Sequence, residues 1–412
     1  MIALRRPKVK PDPGGPGLTR MRIGHILPEI TPMTGKERVA EAMNLRQPDR
    51  VPVMCQMSIG HLLLQTGLRP AEFWLSAETF ASGLLRMREL YGFDGVLISL
   101  HGQSPDWERT SAGFEREREG ERVRWANGDT TLFPPDDLPV HCPARPRDVP
   151  VFGSFDPASL AARATYIPVS QGLRFTLDLE HLFDVFGIVG RAAGAEYSVH
   201  GEVTSPLDYY LDLFGFEQAL FGLVEDSGRA LAILEKLTDG IIPLAEGMVA
   251  RGVDAVKISS PYAGAGFFSP EFYNKFVLPF ESRIARAVRA AGRHAYLHTC
   301  GDIHDRLELM ADSGASGIEC LDPPPLGRTD LADAKRRVGR KIFIKGNIDP
   351  VHTLLEGDPE SVRQDALRRL AIGAPGGGYI LSTACSIAPR TPPRNILVLR
   401  EAAEEAAGTG AD

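Results

Sequence analysis

Along most of the chain, short β-branched apolar runs alternate with longer amphipathic stretches. The runs are VPVMCQM (51–57), GVLISL (95–100), YSVHGEV (197–203), DAVKIS (254–259), HAYLHT (294–299), GIECL (317–321), KIFIKG (341–346) and YILSTA (379–384). Each has the length of a strand. The segments between most of them carry helical periodicity, as in FYNKFVLPFESRIARAVRAAG and DIHDRLELMADSG. Strands that alternate with helices imply a parallel sheet with crossover connections. Eight such runs predict an α/β fold in which a single (β/α)₈ TIM barrel closes. A doubly wound open sheet is the competing arrangement.

The flanks and one interval break this rhythm. Residues 1–33 contain KPDPGGPG, too rich in proline and glycine for a packed element, and predict a surface-draped or disordered tail. Thr34 followed by Glu37 three places on is a capping box, so the barrel segment, residues 34–405, opens with a helix. Nearly a hundred residues separate the second and third runs, which predicts an insertion at about 103–180 over one end of the barrel. Within it, Asn127-Gly128-Asp129 is a hairpin turn signal, and the charged run EREREGER reads as a solvated face. The final residues, EEAAGTGAD, are expected to fray.

Composition narrows the function classes. The chain has 412 residues, is 43% hydrophobic and 24% charged, and carries a net charge of −7, which gives no reason to expect nucleic acid. The basic N-terminus is not followed by the apolar run of a signal peptide. No stretch reaches the roughly 18 apolar residues of a membrane span. Five cysteines in a chain of this length do not form a disulfide framework, so a cytoplasmic location with free thiols is expected.

In a barrel of this type the reactive groups stand where strands end. The strand ends carry Cys55, Gln56, His101, His200, Glu202, His298, Cys300, Glu319, Cys320, Asn347, Asp349 and Cys385. Four of the five cysteines are in this set, which ties the barrel reading to a thiol chemistry. His298 and Cys300 project to one side if the strand runs through them, and an imidazole with a thiolate suits zinc. Alone, two such residues are more often structural than metal-binding; Cys385 could join them across the barrel mouth. Asp302 and His304 belong to the start of the next helix, with Asp302 as its cap. Lys257 and Lys345 lie inside strands, where they hold either an anionic substrate or salt bridges. GAPGGGYIL precedes a strand, which argues against a phosphate loop.

The motifs KERVAEAMNLRQPDRVPV, FFSPEFYNKFVLPF, HTCGD, KGNIDP and GGGYILSTACSIAPRTPPRNI resemble the uroporphyrinogen decarboxylase superfamily from about residue 35 to about 402. The resemblance implies a single barrel. Decarboxylases of that superfamily carry arginines after the first strand, an aspartate after the second and a histidine after the last. Here no arginine stands between the first strand and Arg69, His101 stands near the aspartate position, and Cys385 stands at the histidine position. The departures lead to the zinc methyltransferase branch, which includes the methylcobalamin:coenzyme M enzymes. Its His-x-Cys and distant Cys correspond to His298, Cys300 and Cys385, implied to bind Zn2+.

Glu319 is the first candidate for a fourth ligand and Asp322 the second; His101 and Glu202 are the candidate catalytic side chains. The implied reaction moves a methyl group between a donor, such as a corrinoid (methylcobalamin) supplied free or by a separate protein, and a zinc-activated small-molecule thiol. DIHDRL resembles a corrinoid-binding motif but has Leu307 where glycine is needed, so the cobalamin is not expected on this chain. A homodimer is compatible with the insertion. Two other readings stand beside this one: a decarboxylase or lyase acting on a non-porphyrin carboxylate, to which Arg390 and Arg394 would contribute, and a non-catalytic binding barrel.

Overall fold

The computed structural model describes residues 32–408. The expected tail at 1–33 falls almost wholly outside the described residues, as do the last four positions. From Met33 onward the chain forms one compact unit.

Seven parallel strands make one curved sheet: β1 (Gly95–Ile98), β2 (Ser198–Thr204), β3 (Ala255–Ser259), β4 (His294–Thr299), β5 (Gly317–Cys320), β6 (Phe343–Ile348) and β7 (Tyr379–Thr383), each beside the next. The eighth predicted run, 51–57, joins them by isolated bridges instead of a full ladder. Val53 bridges Leu381 and Met57 bridges Ile387. On the other flank the Asp94 N–H donates to Val53 O at 2.9 Å. The segment thus closes a TIM barrel between β7 and β1. Pro52 offers no N–H, which shortens the ladder there. Asp94 staples the seam: its carboxylate accepts from Arg38 Nη1 at 2.7 Å, Arg50 Nη1 at 2.8 Å and Val53 N at 2.8 Å.

The helix Gly35–Met43 opens with the expected capping box of Thr34 and Glu37. Its Val39, Ala42 and Met43 pack with Met54, Ala255, Tyr296, Phe343 and Ile380 into a small apolar cluster that plugs the lower barrel. The larger core lies between the sheet and the surrounding helices. Strand alternation then sets the layers. Above Ala255, Tyr296 and Phe343, the next inward positions are Lys257, His298 and Lys345, so a charged layer rests on an apolar floor.

The insertion folds as expected around Asn127–Asp129, where Gly128 takes φ +92° and the strands Glu121–Trp125 and Thr130–Phe133 pair antiparallel. Ser111–Arg116 and Val140–Cys142 extend this to a four-stranded sheet, and Tyr166–Pro168 pairs with Arg174–Thr176. Its contacts with the rest of the chain include Asp178 N, which donates to Gly102 O at 2.8 Å, and Asp136, which pairs with Arg390. Two helical readings are refined. The helix predicted after β4 is only Leu307–Ala311, preceded by one 3₁₀ turn. The long amphipathic stretch after β3 divides at Val277 into Pro270–Phe276 and Leu278–Ala290, where Pro279 cannot continue the earlier helix's hydrogen bonds.

Candidate metal centre

His298 is the penultimate residue of β4, and Cys300 is the first residue beyond it. Cys385 follows the end of β7, on the other side of the mouth. The backbone there is held tightly. Gly301 takes φ +79°, a conformation that favours glycine, and its N–H donates to Asp322 Oδ2 at 2.6 Å. Gly264 lies so close to the Cys300 carbonyl that a Cβ would stand 2.4 Å from the oxygen. Two chain segments thereby fix where Cys300 presents its sulfur.

One ligand atom from each of His298, Cys300 and Cys385 lies within 4.8 Å of the others. Cys300 Sγ is 3.4 Å from His298 Nε2 and 3.6 Å from Cys385 Sγ. His298 is buried and both cysteines are half-buried, so the group stands at the mouth, shielded yet reachable. An imidazole nitrogen with two sulfurs at this spacing is a donor set that fits zinc.

Behind His298 is a buried carboxylate. Glu319 is the cross-strand partner of His298 on one side and of Lys345 on the other. The His298 Nδ1–H donates to Glu319 Oε2 at 2.9 Å, which leaves Nε2 facing the sulfurs. Lys345 donates to Glu319 Oε1, and Lys257 Nζ stands 3.3 Å from Oε2. Burial opposes the charge on Glu319, but the two ammonium groups hold its carboxyl well below the usual range. Glu319 is therefore committed to the far ring nitrogen. It lies on the side of the imidazole away from the sulfurs and outside the group within 4.8 Å, whereas the sequence reading offered it as a fourth ligand. Metal-binding histidines are commonly oriented through their second nitrogen in this way.

Lys257 continues the network. It is the register partner of Glu202, whose Oε1 is 3.5 Å from Nζ, and it also donates to Gln56. Glu202 Oε2 is buried with no partner among the described residues. Both lysines prove to be salt-bridged. His101 is not part of this cluster in any described contact. It is 1% exposed, stacks on Phe183, and its Nδ1 lies 3.1 Å from Leu182 O. Burial lowers its pKa to about 4, so the ring is neutral at physiological pH. Asp302 accepts from His304 N at 3.0 Å and pairs with Arg328, while His304 faces Asp333, so neither joins the centre. Arg390 and Arg394 are exposed and pair with Asp136 and Glu401.

Asp322, the second candidate for a fourth ligand, is 2% exposed; its Oδ1 has no partner and its Oδ2 lies 3.4 Å from Cys320 Sγ. Hydrogen bonds from the Cys300 and Cys320 thiols bring the Cys385 thiol well below its ordinary pKa. The sequence pointed to Cys320 only as a strand-end cysteine. Its thiol is buried, donates to Asp322 Oδ2 at 3.4 Å, and is not among the three ligand atoms within 4.8 Å. The lysine partners of Glu319 had a clearer signal, being single charges inside otherwise apolar strands.

The profile of the uroporphyrinogen decarboxylase (URO-D) family matches residues 146–406. The methylcobamide:CoM methyltransferase MtaA of Methanosarcina barkeri is 25% identical over 382 residues, covering 91% of this chain and 99% of that protein. The methylcobamide:CoM methyltransferase MtbA of Methanosarcina acetivorans is 30% identical over 224 residues, 54% of this chain and 62% of that protein. With MtbA the alignment thus spans less than two thirds of the relative. A solved methyltransferase from Methanosarcina mazei superposes with a TM-score of 0.67 at 21% identity, covering 90% of this chain and 99% of that one, a likeness of fold.

Proposed function

Since the chain belongs to the uroporphyrinogen decarboxylase (URO-D) family, we propose the activity within that fold that suits its donor set: zinc-dependent transfer of a methyl group to a thiol. The observation that carries the reading is the convergence of His298, Cys300 and Cys385 within 4.8 Å at the barrel mouth. The names of the methylcobamide:CoM methyltransferase relatives support it. The decarboxylase reading has less support, because Arg390 and Arg394 are both exposed and already paired.

When bound, zinc would supply a lowered pKa to an acceptor thiol, favouring the thiolate that attacks a methyl group. Three protein ligands would leave a position for that thiol. This chain's own residues prepare the site. Glu319 fixes the His298 tautomer, and Lys257 and Lys345 fix Glu319. Glu202 presents a free buried oxygen and is the proposed contact for a polar group of the substrate. His101, neutral and donating through Nδ1, is proposed to shape the upper wall. The methyl donor, a corrinoid carried by a separate protein or free, comes from outside the chain. A reducing compartment such as the cytoplasm suits a centre of free thiols. No helix of the described residues is long and apolar enough to cross a membrane.

Metal analysis tests the reading. Protein purified without chelator should hold about one zinc per chain, and Cys385→Ser should lose most of it while melting cooperatively. Zinc-free wild-type protein, or full occupancy in the variant, contradicts the assignment.

A further inference from the structure

We propose that Glu202 selects the acceptor, and that the thiol this centre takes carries an ammonium group on its tail. The inference rests on the methyl-transfer reading above and deepens it by naming the substrate class.

Glu202 on β2 and Lys257 on β3 are register partners, so both face the barrel interior. Lys257 Nζ is 3.3 Å from Glu319 Oε2, the oxygen that accepts from His298 Nδ1 at 2.9 Å. Glu202 thus stands one ammonium group away from the carboxylate behind the metal-binding imidazole. Its two oxygens differ. Oε1 is 3.5 Å from Lys257 Nζ, while Oε2 is buried and has no partner among the described residues. A buried carboxylate oxygen left so is costly, and a donor brought in by a ligand recovers that cost. Asp322 Oδ1 is also unpartnered, but that residue is 2% exposed, whereas Glu202 is half-buried and open to a ligand entering the barrel.

Charge gives the sign of the ligand's tail. Two buried ammonium groups, Lys257 and Lys345, face the carboxylates of Glu202 and Glu319, so this layer is balanced. The thiolates of Cys300 and Cys385 would balance a zinc ion. A thiol that binds as its thiolate therefore adds one negative charge, which an ammonium on the same molecule cancels. An anionic tail would add a second negative charge beside Glu202, and like charges brought together in a buried site repel strongly. Cations near the strand ends are already engaged: Lys345 with Glu319, Arg306 with Asp305 and Arg328 with Asp302.

Calorimetric titration of zinc-loaded protein with thiols, no methyl donor present, tests the proposal. The probes are cysteamine and its one-carbon-longer homologue, against mercaptoacetate and mercaptopropionate. The amino thiols should bind the wild type more tightly. Glu202→Gln should lower the ratio of amino-thiol to carboxylate-thiol affinity by about tenfold, as expected when a charged hydrogen-bond partner is lost. Comparing that ratio between the two proteins cancels the differing acidity of the thiols. If Glu202 serves only to hold Lys257, both classes weaken together and the ratio stays unchanged, which overturns the proposal. A ratio that moves in Asp322→Asn and not in Glu202→Gln overturns it as well. If Glu202→Gln does not fold, the wild type decides alone: carboxylate thiols that bind as tightly as amino thiols of matched acidity contradict the assignment. Methyl transfer from methylcobalamin separates this proposal from the reading it rests on. Methylation of the carboxylate thiols alone removes only the ammonium preference, whereas zinc-loaded wild type that methylates neither class removes both.

Discussion

Glu319 serves His298, Lys257 and Lys345 with two oxygens, and it does so at 1% exposure. A carboxylate in that position raises the basicity of the imidazole and removes its freedom to rotate. Glu319→Gln keeps the shape but loses the charge that balances two buried ammonium groups. Zinc affinity should fall about 10–100-fold, measured by competition with a chromophoric chelator; an unchanged affinity would show that the carboxylate does not act on the metal through His298. His101 allows a test without metal. Its folded-state pKa of about 4 lies below the ordinary 6.5, so the unfolded chain takes the proton first as pH falls. The stability due to its neutral ring is complete above about pH 6.5 and is lost toward pH 4, at up to about 1.4 kcal/mol per pH unit. His101→Gln, which can still donate to Leu182 O, should flatten the stability profile in that window. Denaturant midpoints with the same slope in both proteins would contradict the buried neutral ring.

The strands show what sequence pattern can and cannot convey. Runs such as DAVKIS and KIFIKG were legible because β-branched residues cluster between helical stretches. The place of His298, Cys300 and Cys385 followed from the strand ends. The 51–57 run was legible as a strand position but not as a bridged one, because the pairing it loses depends on where Pro52 falls against β7. The position of Glu319 behind His298 was not legible for a similar reason: register, which pairs it with His298 and Lys345, is not written in any one strand. Left-handed backbone at Cys320 and Leu321 has no local signal, since neither residue favours it. The barrel seam gives a prediction at this scale. Asp94 is 2% exposed and pairs with both Arg38 and Arg50. Asp94→Ala should destabilise the fold by about 3–5 kcal/mol, because it leaves buried charge without its partner. Urea denaturation reads this directly, and a change under about 1 kcal/mol would mean that the seam does not depend on that pair.

Across the whole barrel, polarity changes with height. An apolar plug closes the bottom, buried ion pairs form the middle, and the thiols stand at the top. The rigid lower layers hold the upper one in place, and the mouth remains the side from which a donor and a thiol can approach. The measurement closest to the central claim is methyl transfer itself. Zinc-loaded protein is mixed with methylcobalamin and a series of small thiols, including coenzyme M. Loss of methylcobalamin is followed by absorbance and the thioether product by mass spectrometry. The account predicts a thioether from at least one thiol, formed by the wild type and not by Cys385→Ser. Zinc-replete wild-type protein that methylates none of the thiols, or that converts uroporphyrinogen instead, would contradict it.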